Sequence, residues 1–396
     1  KLKADEKEKI SISVTEAQLG NKGYQELTAE NLQSSISSSF KDKTTNVISN
    51  GDGSFTVIIK DSEEREYTIE SDGTISLGKY DKWDGKSSTE PTEKTSNEIH
   101  IYTASELKWL ANQVNNEGNT FDGYTIYLEN NLDLGAREKD GEWETTENEA
   151  VKWTAIGKTS TNMLKGTFEG NNHTIKGVYV NDSTSFNGIF GNTNSVLNIT
   201  VKNSYIKGGS CTGGIVGTLR SGTVENCHNI NTQVILMEGE NHFCGGIIGD
   251  ATGTVNKCSN TGKIQGLGSY SGWGYYGGIV GILRSGVAKN CKNSGEVYGN
   301  GKCTGGIIAL TNHSTAVSDC HNSGTVSGEN NTGGVVGYAF TSSTLSDCHN
   351  TGTVSGEAFT GGVVGCAANI VTKCSNTGNV TGTTDDGTGG IVGLLE

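Results

Sequence analysis

The chain has 396 residues, of which 58 are glycine and one is proline, and a formal net charge of −14. No strict glycine period of three exists, which excludes collagen, and the length allows two or three domains. An acidic chain whose lysines and arginines do not cluster is not expected to bind nucleic acid or an anionic membrane surface. No apolar run reaches the roughly 18 residues that a transmembrane helix needs.

The first region, residues 1–78, is predicted to be a small α+β domain. The charged opening stretch and Thr28–Phe40 read as helices, the second opened by Thr28. The stretches SFTVIIK and REYTIESDGTISL then alternate apolar and polar residues around the turn SDG, which predicts an antiparallel hairpin. Residues 79–98 are polar, contain Pro91 and are predicted to be a linker.

The next region, residues 99–210, is predicted to hold a capping helix and the first, irregular coils of a repeat. Thr103 and Glu106 have the spacing of a capping box, in which each residue satisfies a backbone N–H of the other. An apolar stripe follows on one helical face. Its members are Leu107, Leu110, Ala111 and Val114.

Residues 211–396 consist of repeats of one sequence motif. Glycine doublets start at residues 213, 245, 277, 305, 333, 361 and 389, with spacings of 32, 32, 28, 28, 28 and 28 residues. Asn187-Gly188 resembles an earlier, degenerate copy. A fixed period of this size is typical of a solenoid.

Each unit contains three short strand candidates and no helical stripe, as in GGVVG, TLSDC and TVSG. Leucine-rich repeats need a leucine ladder, and propeller blades usually need 40 or more residues. The sequence therefore predicts a mainly β protein, a parallel β-helix with about 28 residues per coil. About ten coils at the strand spacing of about 4.8 Å would make a rod roughly 50 Å long.

Two columns of identical residues are predicted to stack along this rod. Asparagine tolerates a left-handed backbone, and its amide can bond to the copy in the next coil. The cysteine column is Cys227, Cys258, Cys291, Cys320, Cys348 and Cys374. The asparagine column is Asn229, Asn260, Asn293, Asn322, Asn350 and Asn376.

Three interpretations of the cysteines are open: a metal site, disulfides, or small buried apolar side chains. Zinc wants closer pairs, and parallel side chains suit a disulfide poorly. We favour packing, because Val201 is predicted to fill the cysteine position of the degenerate copy, with Asn203 in the asparagine position. No metal or other cofactor is expected, and mostly free thiols indicate a reducing or anaerobic setting.

Candidate catalytic residues are sparse. Asp319 and Asp347 align, but asparagine or lysine occupies their position in other coils. Asp385 and Asp386 carry the chemistry of a calcium site, although a solvated turn explains them as well. The histidines between the cysteine and asparagine columns alternate with serine and lysine, which indicates an outward position. We therefore expect no enzymatic activity.

The candidate binding site is a pair of inserted loops in the two longer units. Because insertions of adjacent coils lie side by side, often on the binding face, their aromatic side chains are predicted to form one patch that stacks on sugars or on a partner protein. The alternative is that the rings cover a bulge in the core. The patch consists of His242, Phe243, Tyr270, Trp273, Tyr275 and Tyr276.

The repeated motif TGGVVG…CHNTGTVSG resembles the GLUG-motif repeats of bacterial surface proteins. The segments from ASELKWLANQVN to GTFEGNNHTIKGVYV resemble the region that precedes those repeats. The resemblance covers about residues 99–396. It implies a right-handed β-helix that is exported and either secreted or held at the cell surface. Some members sit beside a zinc peptidase, but this sequence has no HExxH motif.

The first region is similar to the globular part of type IV pilin-like proteins, through GNKGYQELTAENLQSSI and FTVIIKDSEEREYTIESDGTI. That similarity implies an N-terminal hydrophobic helix, absent from this chain, as the only membrane link, and other pilin-like subunits as partners.

Together these features predict an extracellular adhesin that presents a β-helix to a glycan or protein on a host or neighbouring cell. The alternatives are a polysaccharide lyase or hydrolase built on the β-helix, and a purely structural spacer.

Overall fold

The structure is a computed structural model. It describes residues 80–136, 151–237, 242–266, 274–312, 314–368 and 370–396, and shorter strand segments between residues 44 and 77 and between 138 and 143. The chain divides into two units, Lys1–Lys79 and Tyr80–Glu396.

The first unit contains a four-stranded sheet in chain order, and all three neighbouring pairs are antiparallel. The pairing contains the predicted hairpin, which extends into a third and a fourth strand. The helices predicted before residue 44 lie outside the described residues, and no pilin-like domain is shown. The strands are Thr44–Ser49, Phe55–Ile59, Arg65–Ile69 and Ile75–Leu77.

The second unit begins with a strand that the sequence placed in a linker. Tyr80–Lys82 pairs in parallel with Asn131–Asp133, and Trp83 is buried with its ring 5.9 Å from that of Trp153. The segment is therefore part of the solenoid from Tyr80 onward. The sequence did not predict this strand, because the segment is polar and Trp83 supplies most of its apolar surface.

The helix Ala104–Asn115 confirms the predicted cap. The Thr103 hydroxyl accepts from the Glu106 N–H, and the Glu106 carboxylate accepts from the Thr103 N–H at 2.9 Å. The predicted apolar stripe is buried at the entrance of the solenoid core. In the part of the chain that the structure describes, no helix is both long and apolar enough to cross a membrane.

Between this helix and the regular repeats, the chain forms the first coils. The strands Glu138–Lys139 and Glu142–Trp143 form a small antiparallel pair beside them. The coil strands are Glu98–Ile101, Thr125–Leu128, Asn131–Asp133, Leu164–Glu169, Thr174–Lys176, Tyr179–Asp182 and Phe190–Lys202.

The predicted parallel β-helix is confirmed, with about ten coils. Each regular coil contributes up to five short strands where the sequence predicted three, because the residues before each doublet and the two residues after each cysteine also pair with the next coil. The core lies inside the coils and is a continuous column of Ile, Val, Leu and Cys side chains.

Three of the strand positions lie in one large sheet. The strands that follow the doublets are Val216–Leu219, Ile248–Asn256, Val280–Lys289, Ile308–Thr311, Val336–Ala339, Val364–Ala367 and Val392–Leu395. The next strands are Thr223–Ile230, Ser259–Asn260, Lys292–Asn293, Thr315–Ser318, His321–Asn322, Thr344–Ser346, His349–Asn350, Ile370–Thr372 and Ser375–Asn376.

The remaining strands form an eight-stranded and a seven-stranded sheet. After Tyr179–Asp182, the eight-stranded sheet continues with Tyr205–Gly208, Gln233–Leu236, Lys263–Gly266, Val297–Tyr298, Val326–Ser327, Val354–Gly356 and Val380–Gly382. The seven-stranded sheet, here called the doublet sheet, consists of Thr212–Gly213, His242–Gly245, Gly274–Gly277, Cys303–Gly305, Asn330–Gly333, Ala358–Gly361 and Thr388–Gly389.

Candidate functional site

The doublets fold the chain sharply, so that the doublet sheet approaches the strand that follows the doublet in the next coil. The strand that follows the doublet needs glycine at this point of contact. A Cβ on Gly249 would lie 2.6 Å from the backbone nitrogen of Thr212, and one on Gly365 would lie 2.6 Å from that of Thr332. This backbone contact brings outward side chains of the two strands together on the outside of the solenoid. There they form a second apolar cluster, separate from the core.

Arg284 is a charged residue that lies against this outer cluster, over the ring of Phe243. Its Nε donates to Asp250 Oδ1 at 2.8 Å and its Nη2 donates to Oδ2 at 2.8 Å, a bidentate ion pair. Its guanidinium carbon lies 5.1 Å from the ring centroid of Phe243, and that ring stacks on Tyr275 with centroids 5.2 Å apart. Asp250 is buried, whereas 44% of the Arg284 side chain is exposed. The guanidinium is therefore fixed in place with one edge toward solvent.

Arg220 repeats this arrangement. Its Nε donates to Asn192 Oδ1 at 2.7 Å, and its guanidinium carbon lies 5.6 Å from the centroid of Phe186. The anchor is a neutral amide here and a carboxylate at Arg284. Leu219 and Leu283, which precede the two arginines, both pair with Ala251, so one coil separates the arginines.

We call this surface the arginine–aromatic face. Its six residues are Phe186, Asn192, Arg220, Phe243, Asp250 and Arg284.

The neighbouring thiols stay protonated. Cys211 Sγ lies 4.0 Å from Asp250 Oδ2, and burial together with that carboxylate raises the pKa of the Cys211 thiol. Burial also raises the pKa of the Cys303 thiol, which packs in the same outer cluster. A neutral buried thiol is a poor nucleophile. These cysteines therefore act as packing groups beneath the face.

The structure divides the predicted aromatic patch. Tyr270 and Trp273 lie outside the described residues. Phe243 and Tyr275 point outward but are largely covered by the outer cluster, and His242 is half-buried, with its Nδ1 3.2 Å from the Met237 carbonyl oxygen.

The prediction that Tyr276 belongs to the aromatic patch is wrong, because its side chain lies inside the coil. It takes the inward position that pairs with Cys244 and Thr304, and its hydroxyl donates to Asn300 Oδ1 at 2.8 Å. Glycines make room for the ring: a Cβ on Gly266 would lie 2.6 Å from the tyrosine oxygen.

The structure stacks the six predicted cysteines in one inward column. Five of the six are at most 1% exposed, and Cys374 is partly exposed. All ten cysteines of the chain are free thiols. Each column thiol donates to the carbonyl two residues earlier, as Cys320 does to Ser318 at 3.2 Å. In the part of the chain that the structure describes, no group of three or more His, Cys, Asp or Glu side chains is arranged to hold a metal ion.

The register of the degenerate copy differs from the prediction. Ile199 pairs with Cys227 and Val201 pairs with Asn229, so Val201 occupies the asparagine position and not the cysteine position. The turn between Thr193 and Val196 is two residues shorter than the one between Leu219 and Val224, which shifts the count. The cysteine position still accepts a branched aliphatic side chain, Ile199.

The asparagine column is a continuous hydrogen-bonded ladder. From Asn229 to Asn376, each Nδ2 donates to the Oδ1 of the next asparagine at 2.7–2.9 Å. Asn260 and the asparagines after it also donate to the carbonyl two residues later, as Asn322 does to Gly324 at 2.8 Å. The ladder therefore satisfies buried amides and holds neighbouring coils in register.

The aspartates considered as catalytic are turn residues. Asp319 and Asp347 adopt φ values of 54° and 53°, and the equivalent residues Asn226, Lys257 and Asn290 adopt the same left-handed conformation. Asparagine and aspartate tolerate this conformation better than most residues, which accounts for their recurrence. Asp385 and Asp386 are exposed in a turn.

Of the three histidines between the columns, His321 and His349 lie at the surface as predicted. They contact Thr351 and Ser375 at 3.2 and 2.8 Å. His228 is buried instead and lies 2.7 Å from Ser259.

Arg220 and Arg284 were not predicted as site residues, although the sequence contains a signal that could have identified them. The string LRSG occurs twice, at residues 219–222 and 283–286, and these are the only arginines after Arg137. A rare residue type that recurs two coils apart within a repeat indicates a position whose side chain the repeat itself does not specify.

Comparison with known proteins supports the repeat. Residues 328–355 match the model of a family described as the GLUG motif. This chain therefore carries a GLUG motif on a parallel β-helix, and the coils on either side of the matched one repeat its columns in register.

One curated relative is Halomucin from Haloquadratum walsbyi, which is 31% identical over 202 residues. The match covers 50% of this chain and 2% of halomucin, so the chain spans only a small part of that relative's length.

A crystal structure of a putative immunoglobulin A1 protease from Bacteroides ovatus is similar at 19% sequence identity and a TM-score of 0.43. The similarity covers 77% of this chain and 87% of that chain. At this level the likeness carries no argument about function.

Proposed function

We propose that the chain is an exported, surface-exposed binding protein, an adhesin whose β-helix presents the arginine–aromatic face to a glycan. The observation that carries the proposal is the repetition of an arginine stacked on an aromatic ring, at Arg220 and Arg284, on the outside of the solenoid. Neither guanidinium contributes to the core, and ordering an exposed side chain costs conformational entropy. The GLUG motif and the halomucin likeness support an extracellular or surface location.

A glycan suits the face better than a flat protein interface does. The partly exposed ring of Phe186 can stack on a sugar ring, and the guanidinium groups can donate hydrogen bonds to hydroxyl, carboxylate or sulfate oxygens. Both guanidinium groups are anchored to neighbouring side chains before a ligand arrives, which lowers the entropic cost of binding.

We propose binding without catalysis. Polysaccharide lyases and hydrolases need acidic and basic groups that converge on the bond to be cleaved. On the arginine–aromatic face the single carboxylate, Asp250, is already bound in a bidentate pair with Arg284. Both oxygens of that carboxylate already accept hydrogen bonds from Arg284, so the six residues of the face do not offer a free acid–base pair.

A glycan array tests the proposal. We expect the wild-type chain to bind a set of oligosaccharides and the Phe243→Ala, Tyr275→Ala double variant to lose most of that binding. Tyr298→Ala is the matched control, because Tyr298 is 55% exposed and lies on the eight-stranded sheet instead. Circular dichroism melting curves check that each variant is folded.

Equal binding by the wild type and the double variant would remove the site from this face. An absence of binding by all proteins would favour the structural-spacer alternative, and release of shortened glycans would establish an enzyme.

A further inference from the structure

We propose that the arginine–aromatic face recognises an acidic polysaccharide, through two carboxylate or sulfate groups that lie about one disaccharide apart. This inference rests on the proposed function and names the class of ligand. It depends on the two guanidinium groups alone, whereas the proposed function depends on the face as a whole.

The first argument is the unused donors. A guanidinium has five N–H donors and no acceptor. Asn192 takes one donor of Arg220. Asp250 takes the Nε donor and one Nη2 donor of Arg284. The other described residues accept none of the remaining hydrogens, so four remain on Arg220 and three on Arg284. An edge that can only donate selects ligand oxygens, and anionic oxygens bind it most strongly.

The second argument is the fixed orientation of both groups. Each guanidinium lies over a phenylalanine ring and is anchored through its Nε atom. Free arginine side chains lose rotamer entropy when they bind a ligand. These two side chains are already ordered, so binding a ligand costs less of that entropy.

The third argument is charge. The partner of Arg220 is the neutral amide of Asn192, so Arg220 keeps its whole positive charge. The carboxylate of Asp250 offsets that of Arg284. The face therefore carries one net positive charge and a second oriented donor edge. Charges farther away on this acidic chain are screened, because the Debye length at physiological ionic strength is about 8 Å.

The fourth argument is spacing. Leu219 and Leu283 both pair with Ala251, so the two arginines are two strand spacings apart along the rod axis. Two spacings are roughly 9–10 Å. Successive pyranose rings in an extended polysaccharide bring every second sugar to about this separation. A polymer with an acid group on alternate sugars, or on every sugar, therefore presents its anions in register with both arginines.

The test measures binding of the full chain to matched acidic and neutral oligosaccharides by biolayer interferometry. One probe pair is a galacturonate hexasaccharide and its methyl ester, which differ only in charge. Further pairs are sulfated and unsulfated oligosaccharides. The variants are Arg220→Gln, Arg284→Gln and both together, and Lys289→Gln is the control that removes an exposed positive charge outside the six residues of the arginine–aromatic face.

We expect at least one acidic probe to bind more tightly than its neutral partner. Each single arginine variant should weaken that binding by at least about tenfold, and the double variant more, because charged hydrogen bonds contribute most. Lys289→Gln should bind as the wild type does. Should Arg284→Gln unfold because Asp250 is left unpaired, Arg220→Gln still decides the matter, since its anchor is neutral.

Neutral probes that bind as tightly as acidic ones, and that lose binding in the Phe243→Ala, Tyr275→Ala variant, would overturn the acidic ligand and leave the proposed function standing. An acidic probe bound equally by the wild type and the double arginine variant would overturn the role of the arginines. If no acidic probe binds, the inference falls.

Discussion

Single residues in this protein have one of two roles, and the hydrogen-bond pattern distinguishes them. Asn322 is fully buried and bonds both to its own turn and to the asparagines of the coils on either side. Arg220 and Arg284 are exposed, and among the described residues each hydrogen-bonds to one neighbouring side chain. The first pattern is structural, and the second leaves groups available for a ligand.

Replacement of one ladder asparagine should destabilise the solenoid strongly. Asn322→Ala removes three side-chain hydrogen bonds and leaves the amide oxygen of Asn350 without its donor. Because a buried polar group without a partner costs about 1–3 kcal/mol, we expect the free energy of unfolding in urea to fall by about 2–4 kcal/mol. Asn330→Ala, at an exposed position in the same coil, is the control. A loss of less than about 0.5 kcal/mol for Asn322→Ala would mean that the ladder is not structural.

A buried thiol makes the stability depend on alkaline pH. Burial raises the pKa of Cys244 well above its ordinary value, so the folded chain keeps the proton when the unfolded chain, with a pKa of about 8.5, has lost it. The stabilisation is complete below the unfolded pKa and declines as the pH rises toward the folded pKa. For Cys244 we expect a loss of about 2 kcal/mol at about pH 10.

The measurement compares urea unfolding of the wild type and Cys244→Val at about pH 7 and about pH 10. The other titrating groups are common to both proteins, so the difference between the two pH dependences isolates Cys244. Parallel curves would show that this thiol does not titrate on unfolding.

Among the elements, the turns and the doublets decide the path of the chain. The turn before each cysteine needs a residue in the left-handed region, and Asn226, Lys257, Asn290, Asp319 and Asp347 fill it with φ values of 52–55°. The doublets need glycine for a different reason. A side chain there would collide with the backbone of the next coil.

Replacement of Lys257, the lysine in one of these turns, should stabilise the protein. Left-handed backbone costs an ordinary residue about 1–2 kcal/mol, and asparagine tolerates it better. We therefore expect Lys257→Asn to raise the free energy of unfolding by about 0.5–1 kcal/mol, although it removes the exposed ion pair with Glu225, which contributes little. Lys292→Asn, in a strand, is the control. A lower melting temperature for Lys257→Asn would contradict the argument.

Two substitutions at the same doublet position should have opposite outcomes. A Cβ on Gly334 would overlap the carbonyl oxygen of Gly362, whereas a Cβ on Gly390 meets nothing within 4 Å. We expect Gly334→Ala to cost more than about 4 kcal/mol or to prevent folding, and Gly390→Ala to change stability by less than about 1 kcal/mol. Circular dichroism melting distinguishes them, and equal melting temperatures would show that close approach is not the reason for glycine.

The second unit is a linear array in which each coil contacts the coils before and after it. Stability in such an array is a sum of terms between neighbours. Damage should therefore remain local, unlike in a globular domain with one core.

Hydrogen exchange tests this locality. In Asn322→Ala, we expect faster amide exchange in the coils between residues 290 and 355 and unchanged exchange in the first coils, residues 99–176, because opening spreads between neighbours. Acceleration spread evenly from residue 99 to residue 396 would show that the solenoid unfolds as one cooperative unit.

The sequence predicted those features that repeat. The doublet spacing indicated the coil, and the CxN strings indicated both ladders, because stacked coils place equal residues in equal positions. The sequence failed where the repeat is interrupted. Val201 was placed two residues out of register by a shorter turn, and the inward position of Tyr276 depends on space left by Gly266 in another strand. The arginine–aromatic face was missed because Phe186 and Arg220 meet only across a coil boundary.

The equal length of the regular units has a genetic consequence. Recombination between two copies of the repeat removes or adds a whole coil, and the ladders close again because every coil offers the same asparagine and the same doublet. Loss of the coil between Arg220 and Arg284 would be different, because Thr218 would then take the position that Asp250 occupies in the present register, and Arg284 would lose its carboxylate anchor. The number of regular coils can therefore change in whole steps without a single point mutation, whereas the arginine–aromatic face is kept only as long as the coil that anchors Arg284 is kept.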